Sequence, residues 1–527
     1  MRRDRVSLLA AGVCAALGGA CGCSAAPRTP DRRAGDKPAH AGAPEPARRP
    51  ADGRNRKEPE RQAKSPAREE AARLLARGDE LRNSGRHEEA AAAYSEAVKA
   101  APDMAEAYGA RGRTRGTRGD MEGAIADATE AISLDPTGAE AYGIRAAAYA
   151  QKGDLGRAVA DYGRLIGLRP DDETSYNARG LAEARAGDLD AAIADFTKAV
   201  ELKPDFAEAH SNRGCTRLAA GDIEGALADH DRALELEPGR AAAWFNRGVA
   251  RMRKGDIEKA IEDYTKAIEL DQASSEARCN RGVAYAAAGE NRRAAGDYDA
   301  AVALNPDDPR AYYNRALLRM REGDHDRAIA DYTKVIVLEP GAAEAYSNRA
   351  GEYEATGDLD RAVADYNVAI LLRPDDLRAY FGRGAAYARR GDQDLAITDF
   401  TRVIEAEPRH VPAWSARGLI YYGRGDNERA IADLTRAIEL APDWAGLYNT
   451  RGLAYRAAGR RDLAAADFAR AVELKPGYAE AYLNRGVEHA ATGRREEARR
   501  DFARAVELDP DGEAGRAAAE ESARLGR

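Results

Sequence analysis

Residues 309–342 read PRAYYNRALLRMREGDHDRAIADYTKVIVLEPGA, and residues 343–376 read AEAYSNRAGEYEATGDLDRAVADYNVAILLRPDD. Laid over one another, the two lines share an arginine (Arg315, Arg349), a small residue after it (Ala316, Ala350) and a Gly-Asp step (Gly323-Asp324, Gly357-Asp358). They also share an alanine (Ala328, Ala362), an Asp-Tyr pair (Asp331-Tyr332, Asp365-Tyr366) and a late proline (Pro340, Pro374). The proline recurs at 102, 136, 170, 204 and 238 and again from 306 to 510, in steps of 34 or, across one gap, 68; Gln272 stands in the gap. With that proline as position 32, thirteen units follow one another from Ala71 to Gly512 without an inserted residue. A fixed period of this length marks stacked supersecondary units, each burying its apolar face against its neighbours. The composition agrees: 44% hydrophobic, 32% charged and only 6% aromatic suits many thin helical layers better than one thick core.

Each unit reads as two helices with punctuation between them. Glycine fills position 15 in all thirteen, from Gly85 to Gly493, where it ends the first helix in the left-handed conformation, and Asp120 and its counterparts cap the second. The closing proline stops the second helix, since it has no N–H to donate and clashes with the preceding turn. Asp103, after Pro102, is expected to cap the next first helix. Position 8 is Gly or Ala throughout and position 20 is Ala thirteen times (Ala226, Ala260, Ala294), as two closely approaching helices require. The aromatics at position 4 (Tyr108, Trp244, Trp414) and position 24 (Tyr264, Tyr332, Phe400) are expected to be core knobs, with His210 and His230 as replacements for them. Gln272, with Ser274, Ser275 and Arg278 after it, predicts a soft joint between the sixth and seventh units.

These marks, recurring together over residues 71–512, resemble the tetratricopeptide-repeat (TPR) family. The resemblance implies an all-α fold: thirteen antiparallel helix pairs stacked into a right-handed superhelical solenoid with a concave inner surface made by the first helices. Residues 513–527, which lack the repeat marks, read as a polar capping helix of the kind a solenoid end requires. The first helix is expected to begin at Ser65-Pro66, a cap followed by a first-turn proline.

Arg occupies position 7 in every unit and Asp position 23 in twelve, one on each helix, which reads as a repeated structural ion pair rather than a ligand ladder. Position 6 carries Asn212, Asn246, Asn280, Asn314 and Asn348 in consecutive units, and Asn484 later. An amide both donates and accepts, so one per repeat suits a peptide backbone of any sequence. The run resembles the asparagine ladder of the TPR superhelix in the enzyme that attaches N-acetylglucosamine to Ser and Thr. Phe245, Tyr313 and Phe381 at position 5, with Val249, Val283 and Leu317 at position 9, add apolar surface beside the amides. The Lys-and-Asn carboxylate clamp of chaperone-binding TPR proteins is not matched, because position 9 is Asn in no unit.

Charge excludes one class of partner. Residues 1–68 are basic, leaving residues 69–527 with a formal charge of −16, which repels nucleic acid. No phosphate loop, HExxH or nucleophile signature occurs, so no enzyme, metal or cofactor is expected. Cys215 and Cys279 read as small packed side chains. Residues 1–23 have the basic start and short apolar run of an export signal, with Cys21 after Leu17-Gly18-Gly19-Ala20 resembling a bacterial lipobox, as in exported TPR lipoproteins. Cys23 and ordinary cleavage after Ala26 are the competing processing points. Residues 24–68 hold eight Pro and no Leu, Ile, Val, Phe, Tyr or Trp, the composition of a disordered tether. The expectation is a bacterial cell-envelope scaffold that binds protein or peptide clients in its groove and meets the membrane only through a lipid on Cys21. The alternative is a periplasmic holdase for unfolded chains.

Overall fold

The computed structural model describes residues 65–526, in which twenty-seven α-helices, α1 to α27, follow in pairs. Repeat one is α1 (Pro66–Asn83) and α2 (His87–Ala100); repeat six is α11 (Ala241–Lys254) and α12 (Ile257–Leu270); repeat seven begins with α13 (Ser275–Ala287). The last helix, α27 (Glu513–Leu525), packs on both helices of repeat thirteen, as the first helix of a further repeat would. The chain divides between Leu304 and Asn305 into two compact units. Within each, the two helices of a repeat pack as a hairpin, and each second helix packs on the first helix that follows. First helices of successive repeats also touch one another, more closely than second helices do, which places the first helices along the inside of the curve.

The turn chemistry follows the sequence closely. All thirteen position-15 glycines have φ between 75° and 95°, a region side-chain-bearing residues avoid. At the first such turn after repeat one, Asp120 N–H donates to the Arg115 carbonyl at 2.9 Å, closing the helix end in a Schellman arrangement, and the Asp120 carboxylate accepts from Gly123 N–H. Ser65 caps α1 by accepting from Arg68 N–H.

The cap of the other helix lies one residue later than expected. Met104, not Asp103, is the N-cap residue, so the Asp103 side chain is out of reach of the first turn and instead faces Arg68 at 3.6 Å. Where position 34 carries a side-chain acceptor it does cap: Asp172, Ser274, Asp308, Asp376 and His410 each accept from a first-turn N–H.

The aromatic positions divide into two kinds. Position 24 is core: Tyr264, Tyr332 and Phe400 are at most 1% exposed. It also explains the glycine at position 8. A Cβ on Gly248 would stand 2.7 Å from the Tyr264 ring, and one on Gly486 2.7 Å from Phe502, so ring and glycine are a matched pair. Position 4 is a lid rather than a core knob. Tyr108, Trp244 and Trp414 are only half-buried, lie over the position-7 guanidinium at 5.4, 4.6 and 5.1 Å, and keep one face in solvent. The indoles also reach back to the stop proline: Trp244 Nε1 donates to the Pro238 carbonyl at 2.8 Å and Trp414 Nε1 to that of Pro408 at 3.1 Å.

That last bond accounts for the Gln272 junction. Arg278 replaces the aromatic and its Nη2 donates to the Gln272 carbonyl at 3.1 Å, reproducing the stitch, while Ser274 caps α13. The helices flanking Gln272 pack together as in other repeats, and the boundary between compact units falls one repeat later.

Candidate peptide-binding groove

The inner first helices are held in place by the Arg–Asp frame. In all twelve repeats that carry both residues, the position-7 guanidinium makes a bidentate pair with the position-23 carboxylate; Arg247 meets Asp263 at 3.0 and 2.7 Å, and Arg349 meets Asp365 at 2.7 and 2.8 Å. Its third nitrogen often reaches the preceding repeat at position 25, as Arg281 does to Thr265, Arg349 to Thr333 and Arg247 to Asp231. One arginine therefore ties two helices of its own repeat to a helix of the one before. Carboxylate pairing is the main influence that holds Arg281, Arg349 and Arg383 protonated above the usual range, against the opposing effect of burial. Position 25 carried no weight in the sequence reading, although Thr, Asp or Asn recurs there.

Position 11 decides how well the aspartate is balanced. Arg115, Arg217, Arg251 and Arg319 supply a second cation to the same carboxylate. Repeat four has Glu183 instead, 3.8 Å from Arg179 and beside Asp195. Burial, then the Asp195 charge, pushes the Glu183 carboxyl up to about 7.

The position-6 asparagines do not all meet the same surroundings. Asn212 Nδ2 donates to Asn177 Oδ1 at 3.0 Å, Asn348 Nδ2 to the Tyr313 hydroxyl at 3.0 Å, and Asn484 Nδ2 to Asn449 Oδ1 at 3.0 Å. Each acceptor is the position-5 residue of the preceding repeat, so these three amides join neighbouring first helices. Asn246 follows Ser211 and Asn280 follows Phe245; neither amide has a hydrogen-bond partner among the described residues, Asn246 being buried at 9% exposure and Asn280 half-buried. Asn314, in the second compact unit, is also half-buried. A polar residue at position 5 one repeat earlier does not by itself separate these cases, since Ser211 precedes Asn246 without bonding to it.

The position-5 aromatics lean inward. Phe245 is 6% exposed and tilts against Tyr264 with centroids 5.8 Å apart; Tyr313 meets Tyr332 edge-on at 5.9 Å. Phe381 lies between Phe400 at 5.5 Å and His410 at 5.1 Å. Tyr313 and Phe381 keep part of their surface, whereas Phe245 is part of the core. Burial, reinforced by the Glu344 carboxylate, moves the Tyr313 phenol up to about 12, so its hydroxyl stays neutral and donates to Glu344. Cys21 lies outside the described residues. Among the described residues no group of three His, Cys, Asp or Glu is placed to hold a metal ion.

Comparison with known proteins matches this arrangement at the level of the repeat. Profiles described as tetratricopeptide repeat match residues 75–139, 139–172, 241–273, 279–346, 377–410 and 449–513, and one described as TPR repeat matches 182–219, 350–391 and 418–459. Comparison with curated proteins gives no match. Among solved structures, MamA is 31% identical over 31% of this chain and 94% of its own, with a TM-score of 0.29. YrrB, titled a TPR protein with an unusual peptide-binding site, is 26% identical over 35% of this chain and 95% of its own, with a TM-score of 0.31. A TPR protein from Parabacteroides merdae is 23% identical over 47% and 98%, with a TM-score of 0.37. With its hairpins, its Gly-ring pairs and these matches spread from residue 75 to 513, the chain belongs to the tetratricopeptide-repeat family, a fold that serves protein–protein interaction.

Proposed function

We propose that this chain is a non-catalytic scaffold of the bacterial cell envelope that holds client polypeptides against its first helices, with the unpaired amides of repeats six and seven as the main contact. The observation that carries the reading is the half-buried amide of Asn280 on a first helix, with the more buried Asn246 one repeat before it, neither with a hydrogen-bond partner among the described residues. An extended chain offers one N–H and one C=O per residue, the complement of a free amide. The export signal and the lipobox-like Leu17 to Cys21 support a place at the membrane through a lipid on Cys21.

A photo-crosslinking residue at Asn280 should capture client protein in cells, and the same residue at Lys266 on the outer helix should not. Equal capture at both places would remove the groove from the account. Lipid-precursor labelling that is lost in Cys21→Ala supports the anchor; labelling lost only in Cys23→Ala moves it, and no labelling removes it.

A further inference from the structure

Repeats two and three lack what fills the groove elsewhere. Where repeats six, eight and ten set an aromatic at position 5 against the position-24 ring, repeats two and three have Gly109 and Gly143. Position 9 of repeat three is Ala147, where repeats four, eight, eleven and twelve carry Leu181, Leu317, Leu419 and Leu453. The result is a cavity of about 440 Å³ over Gly143, with Ile144, Ala147, Tyr162 and Leu165 in its lining. A Cβ on Gly143 would come within 3.2 Å of Leu165 Cδ2, so this wall is closely packed, and first-helix residues of repeats two to four, among them Arg113, Ala147 and Ala178, bound the space. That volume is in the range that accepts one large apolar group. A second cavity of about 520 Å³ shares Arg113, Glu140 and Arg169 with the first, so the trough continues past a single side chain.

The charged side chains at the first cavity differ in how they are engaged. Arg113 is paired with Glu140, and Asp172 is occupied as the cap that accepts from Thr174 and Ser175. Arg169 is exposed and has no side-chain partner among the described residues. Asp172 keeps its charge while neutral donors take up its oxygens, which leaves the Arg169 guanidinium as the charged group of this lining whose hydrogen-bonding capacity is open. We infer that repeats two to four form a second client site, selective for an extended peptide with a large apolar side chain beside a carboxylate: the apolar group seats over Gly143 and the carboxylate pairs with Arg169. The inference rests on the reading of the groove as a peptide-binding surface, and adds a sequence preference that free amides do not have.

The test uses the full chain and acetylated, amidated Gly/Ser dodecapeptides with one central Leu, Phe or Met flanked by Glu, Gln or Lys, read by fluorescence anisotropy. Glu-flanked peptides should bind roughly tenfold more tightly than Gln-flanked ones, the worth of a charged hydrogen bond. Ala147→Leu, which installs the residue four other repeats carry and so keeps the fold, should abolish binding. Arg169→Glu, at an exposed position, should turn the preference toward Lys-flanked peptides. Binding with no flank preference, or binding that both variants leave unchanged, overturns the site. If binding is then lost in Asn246→Ala/Asn280→Ala, the groove still takes peptides and only this second site falls. If none of the peptides binds, this site is also overturned, and crosslinking at Asn280 still judges the groove by itself.

Discussion

Repeats four and six fold on the same frame and differ in what three positions add to it. Both have the bidentate Arg–Asp pair, Arg179 with Asp195 and Arg247 with Asp263, and both set a ring on a position-8 glycine. In repeat six the aspartate sits between Arg247 and Arg251, position 5 is a core ring, and the amide of Asn246 has no partner among the described residues. In repeat four position 11 is an acid, position 5 is Asn177 engaged with the next repeat, and position 6 is Ala178. The difference teaches that the frame is indifferent to the groove: helix packing is set by positions 7, 8, 20, 23 and 24, and the inner surface is written by 5, 6, 9 and 11 on top of it.

The largest expected effect is at the frame. Asp263→Ala strands two guanidinium groups around a carboxylate site that is 1% exposed, and should cost about 3–5 kcal/mol of local stability. Asp195→Ala should cost less, because Glu183 stands ready as a replacement partner for Arg179. Chemical denaturation with hydrogen exchange on both variants measures the gap, and equal losses would show that Glu183 does not substitute.

Next is the glycine–ring pair. Gly248→Ala brings a methyl to 2.7 Å from Tyr264 and should destabilise by about 1–3 kcal/mol, although alanine is the better helix former. Because repeats contact mainly their neighbours, loss of exchange protection should be confined to repeats five to seven. A uniform loss would contradict the solenoid's short-range coupling.

A pH dependence should follow from Glu183. Its folded-state pKa, about 7, lies above its unfolded value, so the folded chain binds the extra proton and repeat four loses stability as pH rises from the unfolded carboxylate range toward 7. Below that window the group is protonated in both states and the effect vanishes. Glu183→Gln should flatten the repeat-four response, measured as exchange protection against pH, and leave repeat six unchanged. A slope that survives the substitution would place the titration elsewhere.

The smallest effects belong to the amides. Asn280→Ala should leave thermal stability unaltered, whereas Asn212→Ala removes a bond between repeats four and five and should cost about 0.5–1.5 kcal/mol. Thermal melts that rank the two variants the other way would reverse the assignment of which amide is structural.

The repeat length, the helix pair and the Arg–Asp frame were legible because each rests on local chemistry or on a mark repeated twelve times or more. Gly119 and Asp120 define a helix end through their own backbone and side chain, and no distant residue can alter that reading. The groove was less legible. Asn212 and Asn280 look alike in sequence, and what separates them is a residue about one repeat away, Asn177 for one and Phe245 for the other, brought alongside only when first helices stack. Position 4 was misplaced for a related reason: Trp244 is apolar enough for a core, but the Arg247 guanidinium beneath it and the Pro238 carbonyl behind it hold it half in solvent.

By itself, then, the sequence determined the thirteen hairpins, their turns, the ion-pair frame and the capping serine at residue 65, since all of these follow from residues within one repeat. Only the tertiary structure decided which asparagines lack a partner among the described residues, which rings are core, that the Gln272 junction is stitched by Arg278, and that Gly143 and Ala147 line a cavity with Arg169. The physical reason is range: a turn or a cap is complete within a few residues, whereas a groove side chain takes its partners from helices that stacking alone brings together.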